Sequence, residues 1–233
     1  MRKPSDRAAN EGVFRLDPEY GQMAVRMGEA VWSIKALSQR EKALLCLIMD
    51  ICDHNLGLAF QMHVEMALAN SVPLSAIKEV IFHAALEAGY TNVLQALVRF
   101  HEIRAGLKDV SVDAIVNDEA ADFKVDRSDQ ARMDGLDPAF AELWRARMAE
   151  QWSRPHLSKK ERAYLSLAAD VSNQTLGTPF AYHVRTALRY GGTAEEVRAV
   201  IRFIAEFGFS KAWQALQALR PTLNEDRPMS GGA

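Results

Sequence analysis

The chain of 233 residues repeats itself at a fixed interval. The stretch Leu56-Gly57-Leu58-Ala59-Phe60-Gln61-Met62-His63-Val64-Glu65-Met66-Ala67-Leu68 returns at residues 176–188, an offset of 176 − 56 = 120. Seven of its thirteen positions are identical, and the one polar identity is a histidine, His63 and His183. The register extends outward: Asp17-Pro18 matches Asp137-Pro138, Trp32 matches Trp152, and Leu37 to Glu41 matches Leu157 to Glu161. Further on, Gly89 matches Gly208 and Gln95-Ala96-Leu97 matches Gln214-Ala215-Leu216 at 119, so one residue is lost in or just after the fourth helix. Whatever the first half folds into, the second half folds into again.

The unit reads as helical. Asp17-Pro18 predicts an N-cap followed by proline at the first helical position. This first helix runs past Trp32 to about Ile34. Ser38-Gln39-Arg40-Glu41 has the capping-box pattern and opens a second helix over the apolar run Leu44 to Ile51. A third helix holds the repeated stretch and ends near Asn70. A fourth follows Val72-Pro73-Leu74-Ser75 and runs towards Gly89, and a fifth spans roughly 92–104. No alternation of strand period bounded by turn residues occurs, so the expected class is all-α: two tandem five-to-six-helix units related by duplication. The boundaries read as a first repeat at 13–106, an acidic linker at 107–132 with room for a short helix at 112–123, a second repeat at 133–220, and a disordered tail at 221–233.

A net charge of −2 lacks the excess Lys and Arg that a nucleic-acid surface needs. No run of about 18 apolar residues predicts a membrane span, and the charged N-terminus has no apolar signal core, so the expected location is the cytoplasm. Cys46 and Cys52, six apart on one helix, are separated by about 240° of rotation, outside disulfide reach. Their counterparts are Ser166 and Ser172, so buried, reduced thiols are expected.

Leu37-Ser38-Gln39-Arg40-Glu41, Met62-His63-Val64 with Ala67-Leu68, Ile77 to His83 and Gly89 stand in an order that resembles the carboxymuconolactone decarboxylase family, which includes the alkylhydroperoxidase-D-like proteins. Trp152 to Leu157 and His183-Val184-Arg185 carry the likeness in the second copy. The resemblance implies an all-helical fold, ring assemblies that are commonly hexamers of single-repeat chains, and cofactor-free chemistry of aromatic-compound breakdown. A tandem chain would then form a homotrimer. The peroxidase branch places Cys-x-x-Cys just before the histidine, but here those positions are Leu56 and Ala59, then Leu176 and Pro179. With no thiolate at hand, dithiol peroxidase activity is rejected. The acidic residues that precede the histidine in the decarboxylase branch are also absent, with Gly57, Leu58 and Ala59 in their place.

Phe60, His63, Val64, Ala67 and Leu68 follow helical spacing, which sets the histidine on the apolar face, where it either packs or does chemistry. Asp50 and Asp170 lie among apolar neighbours on the second helix of each unit and need a partner. His63 and His183 are natural ones, acting as general acid/base with Asp50 and Asp170 as orienters. Arg154 and Arg185 occur only in the second copy, opposite Ile34 and Glu65, and are the candidate anchors for a substrate carboxylate. His83, opposite Phe203, is a further substrate-binding candidate. Either one pocket type works, or acid–base groups of one repeat meet arginines of the other. Glu41 and Glu161 are explained by capping. His83 and Glu87 are an i, i+4 pair, too few ligands for a metal site, and none is expected. The resulting expectation is a lyase, or an isomerase, acting on a small carboxylated lactone or related enolisable acid. The alternative is a non-catalytic oligomeric scaffold or small-molecule binding protein.

Overall fold

The computed structural model describes residues 13–107, 123 and 125–225. They form helices and no strand. In chain order these are α1 (Pro18–Trp32), α2 (Gln39–Cys52), α3 (Leu58–Ala69), α4 (Leu74–Ala88), α5 (Tyr90–Gly106), α6 (Arg127–Leu136), α7 (Pro138–Trp152), α8 (Lys159–Asn173), α9 (Thr178–Arg189), α10 (Ala194–Ile204), a 3₁₀ turn at Ala205–Phe207, and α11 (Phe209–Glu225).

The caps form where the residue pattern places them. Asp17 and Asp137 each accept a hydrogen bond from a first-turn N–H ahead of their prolines, and Ser38 with Glu41 and Ser158 with Glu161 close two capping boxes. Gly191, at φ +86°, turns the chain out of α9, and Thr193 caps α10 with a third box. One element departs from expectation. Helix α6 begins within the segment read as linker, because Asp126 caps it and Asp126 and Asp129 hold Arg189 and Arg185 of α9. A charge match across the chain, invisible to local periodicity, draws the end of this segment onto the second unit. The short helix read at 112–123 lies almost wholly outside the described residues. The tail reading begins at Pro221, but α11 continues through it to Glu225.

The two units interlock. Helices α2 and α8, buried over nearly their whole length, pack on one another at the centre. Each unit's entry helix crosses to the other unit: α1 packs on α10 and the 3₁₀ turn, and α7 packs on α4. Two equivalent ring contacts mark these crossings. Trp32 meets Phe203 edge-on at 5.7 Å, and Trp152 meets His83 edge-on at 5.8 Å. Phe203 therefore occupies the place of His83, at an offset of 120, and the lost residue falls between Phe203 and Gly208. Cys46 and Cys52 are buried and unpaired. No helix among the described residues is long and apolar enough to cross a membrane.

The 3₁₀ turn absorbs the deletion. Four α-helical residues from His83 to Glu87 advance about 6 Å and rotate about 400°. Three residues from Phe203 to Glu206, wound towards 3₁₀ geometry, advance about 6 Å and rotate about 360°. Glu206 thus returns to the helix face that Glu87 occupies in the first repeat.

Candidate functional site

The sharp turn after the second helix of each unit brings the aspartate and histidine together. Asn55 N–H donates to the Asp50 carbonyl at 2.8 Å, and Thr175 N–H to the Asp170 carbonyl at 3.0 Å, folding α3 and α9 back over α2 and α8. His63 Nδ1 then lies 2.5 Å from Asp50 Oδ2, and His183 Nδ1 lies 2.6 Å from Asp170 Oδ2. An ionised carboxylate only accepts, so Nδ1 carries the proton and Nε2 is the free nitrogen of each ring.

The third member comes from the other repeat. His183 Nε2 lies 3.8 Å from Oε1 of Glu87, at the end of α4. On the other side, Glu206 of the 3₁₀ turn is held near His63 and Asp50, close enough for both to act on its ionisation, and the Phe207 ring sits 6.0 Å from His63. Each constellation is thus Asp–His from one repeat and Glu from the other. Sequence reasoning noticed Glu87 only as a neighbour of His83, and Glu206 not at all. The available signal was a glutamate two residues before the matched glycine in both copies, visible once the offset changes to 119.

Burial sets the electrostatics. It raises Asp50 above the ordinary carboxylate range, against the pull of His63. It also raises Glu87, with Asp170 adding and His183 and Ser166 opposing, and it raises Glu206, with Asp50 adding and His63 opposing. For His183 burial acts the other way, but Glu87 and Asp170 outweigh it and hold the imidazole above its usual value. A histidine held above its usual value beside a glutamate slow to give up its proton is an arrangement for moving protons near neutral pH.

The other predicted residues lie elsewhere. Arg154 Nε donates to both oxygens of Glu79, at 2.9 and 3.1 Å, and its guanidinium stacks over Phe82. Arg185 donates to Asp129 at 3.0 Å. Neither hydrogen-bonds or ion-pairs with a His–Asp pair. The expectation that they gather there fails because a buried acid on α4 and an acid on α6 claim them first. His83 is fully buried, donates from Nε2 to Ser166 Oγ at 3.0 Å, and is held well below the usual histidine range by burial and then by Arg162 and His183. It supports the site from behind. The composite pocket weighed for the sequence, acid–base groups of one repeat with arginines of the other, does not form; what crosses between the repeats is a glutamate.

Donor atoms of Glu87, Asp170 and His183 lie within 4.8 Å of one another. Asp170 Oδ2 is taken by His183 and Oδ1 by the Thr175 hydroxyl at 2.7 Å. That leaves His183 Nε2 and Glu87, fewer than the three or four protein ligands of a zinc site.

A family model for the carboxymuconolactone decarboxylase family matches residues 18–101 and 138–221, the two repeats. The chain belongs to this family. Among solved structures it is similar to a crystal structure from Burkholderia xenovorans LB400, titled a "putative gamma-carboxymuconolactone decarboxylase subunit", at 21% identity and a TM-score of 0.52. The match covers 97% of this chain and 93% of that one, and it shows a shared fold. No curated protein matches the chain.

Proposed function

We propose that the chain is a cofactor-free acid–base enzyme, a lyase of the carboxymuconolactone decarboxylase type or an isomerase, acting on a small carboxylated lactone or related enolisable acid. The observation that carries this is the pair of Asp–His–Glu constellations, built twice across the repeat interface and kept in phase through a one-residue deletion. A packing histidine needs one partner. It does not need a glutamate returned to its face from the other repeat by a change of helix type.

Loss of CO₂ from such a lactone, or movement of its double bond, puts negative charge on the carbonyl and requires one proton on carbon. In this reading Asp50 and Asp170 orient His63 and His183, Nε2 handles the proton, and Glu87 and Glu206 act as the facing acid or base. The test is to mix the protein with carboxymuconolactone and follow loss of ultraviolet absorbance and release of CO₂. Replacing both His63 and His183 by Asn is expected to lower kcat by about 10²- to 10⁴-fold. Full activity in that double variant would reject the mechanism.

Assembly as a homotrimer is part of the same reading. Ten of the thirteen large apolar side chains exposed among the described residues recur in pairs: Leu16 and Leu136, Tyr20 and Phe140, Met23 and Leu143, Tyr90 and Phe209, Leu94 and Trp213. Trp213 is 69% exposed and Leu94 57%, a large apolar load for a monomer. Faces repeated by an internal duplication suit a closed ring in which each unit meets its neighbour alike. Light scattering is expected to give three times the chain mass of 26.0 kDa.

A second reading, a non-catalytic scaffold or small-molecule binding protein, draws on one observation. A shallow cleft between α2 and α8, lined by Glu41, Leu44, Leu45, Glu161, Tyr164 and Leu165, leaves no room for a water-sized molecule and reaches neither histidine. Ligand pockets usually run to about 300 Å³ or more. Unchanged lactone in the presence of the assembled protein would favour this reading.

A further inference from the structure

The two constellations share their three acid–base groups but not their support. At offset 120, Ser166 stands where the first repeat has Cys46, His83 faces the position of Phe203, and Thr175 stands opposite Asn55. Ser166 Oγ–H donates to Glu87 Oε1 at 2.6 Å. Its one hydrogen is committed there, so its oxygen accepts from His83 Nε2–H. Thr175 completes Asp170 from the other side. In the first constellation, Glu206 Oε2 and Asp50 Oδ1 are buried and accept no hydrogen bond from the described residues. The side chain nearest in role is the Cys46 thiol, a weak donor, which burial and then Glu206 and Asp50 keep firmly protonated.

We propose that Ser166 is the positioning residue of the second constellation, its hydroxyl fixing the Glu87 carboxylate towards His183 Nε2, and that it makes Glu87–His183–Asp170 the stronger of the two acid–base sites. This rests on the acid–base reading above. A buried carboxylate that accepts a hydroxyl hydrogen bond keeps one orientation and a stabilised anionic form. A buried carboxylate with an unpartnered oxygen is held less firmly and takes up a proton more readily. At 3.8 Å, His183 Nε2 and Glu87 are too far apart to hydrogen-bond, so both stay available to a third atom. The charged and titratable groups around them are accounted for. Asp170 comes from α8, Glu87 and His83 from α4, and Tyr182 from α9, with its ring 5.2 Å from His183. Cys52 of α2 lies near both acids, its thiol pushed to about 12 by burial. Arg162 bears on His83.

Reciprocal exchange tests the proposal. Ser166→Cys gives the second site the first site's side chain, and Cys46→Ser does the reverse. Carboxyl ¹³C titrations of glutamate-labelled protein read Glu87 and Glu206 directly. The hydrogen-bonded Nδ1 proton of His183 reports that each variant is folded. Ser166→Cys is expected to raise the Glu87 midpoint by about one pH unit or more, the usual worth of a hydrogen bond to a charged group. Cys46→Ser should move Glu206 down. In the lactone assay, the acid limb of kcat/KM should move up with Glu87 in Ser166→Cys. His183→Asn should cost at least about tenfold more in kcat than His63→Asn, one lost interaction of that size. An unmoved Glu87 midpoint in folded Ser166→Cys, or equal losses for the two histidines, overturns the proposal. Should the protein leave the lactone untouched, the enzymatic reading fails while the carboxyl titrations still decide the role of Ser166.

Discussion

The second helices of the two repeats, α2 and α8, carry a cation at the same position and treat it differently. Lys42 donates to the Trp32 carbonyl at 2.6 Å, and burial lowers its pKa. Arg162, fully buried, donates to Glu79 at 3.0 Å and to the carbonyls of Arg154 and Pro155. Glu79 in turn holds Arg154. Across the duplication the counterparts of Arg162, Glu79 and Arg154 are Lys42, Ala199 and Ile34. Two charges, Glu79 and Arg154, are present in one copy only, and the shared cation differs in type alongside them. A lysine serves with one carbonyl, whereas the buried guanidinium requires an anion, which itself takes a second cation. The same pattern holds at the two sites, where Ser166 and His83 stand opposite Cys46 and Phe203. Duplication kept the groups that face each other across the interface and let their supports diverge in linked sets.

The sharpest way to break this comparison is at Glu79. Glu79→Ala leaves Arg162 buried without its anion and is expected to cost about 3–5 kcal/mol in urea unfolding. Lys42→Met, which trades a partly satisfied buried cation for an apolar chain, should stay within about 1 kcal/mol of wild type. Equal costs would mean that the second repeat does not depend on its triad.

A smaller effect separates His83 from Phe203. His83 is held below its ordinary value of 6.5 in the fold, so the folded state takes up fewer protons than the unfolded state as pH falls below that value. The stability tied to neutral His83 is present above pH 6.5 and is lost with falling pH, by up to about 1.4 kcal/mol per unit. His83→Phe, the residue the second repeat uses, removes this dependence. Relative to wild type it should gain stability between pH 6.5 and 5. A constant difference across that range would show that His83 does not stay neutral.

The smallest expected effect is at Thr175. Thr175→Val leaves Asp170 Oδ1 without its hydroxyl, as Asp50 Oδ1 already is, and should cost about 1 kcal/mol. No loss would mean that water satisfies both aspartates alike.

Much of the fold was legible because its signals are local. Asp17-Pro18 and Ser38 with Glu41, with their matches Asp137-Pro138 and Ser158 with Glu161, each act within one helical turn, and each cap forms. The Asp50–His63 and Asp170–His183 pairs were legible too, since one short turn joins the helices that carry them. Arg154 and Arg185 were not. Their partners, Glu79 and Asp129, lie 75 and 56 residues away on other helices. A long flexible side chain goes to whichever acid the packing brings near, and sequence position alone does not say which.

The amino-acid sequence by itself determined that this is a duplicated, all-helical chain with an Asp–His pair in each half, because periodicity, capping and a constant offset are properties of neighbouring residues. Only the tertiary structure decided that each pair is completed by a glutamate of the opposite half. That depends on how two units interlock and on a 3₁₀ turn restoring the phase of a shortened helix. Both are consequences of packing, which brings together residues that the chain keeps far apart.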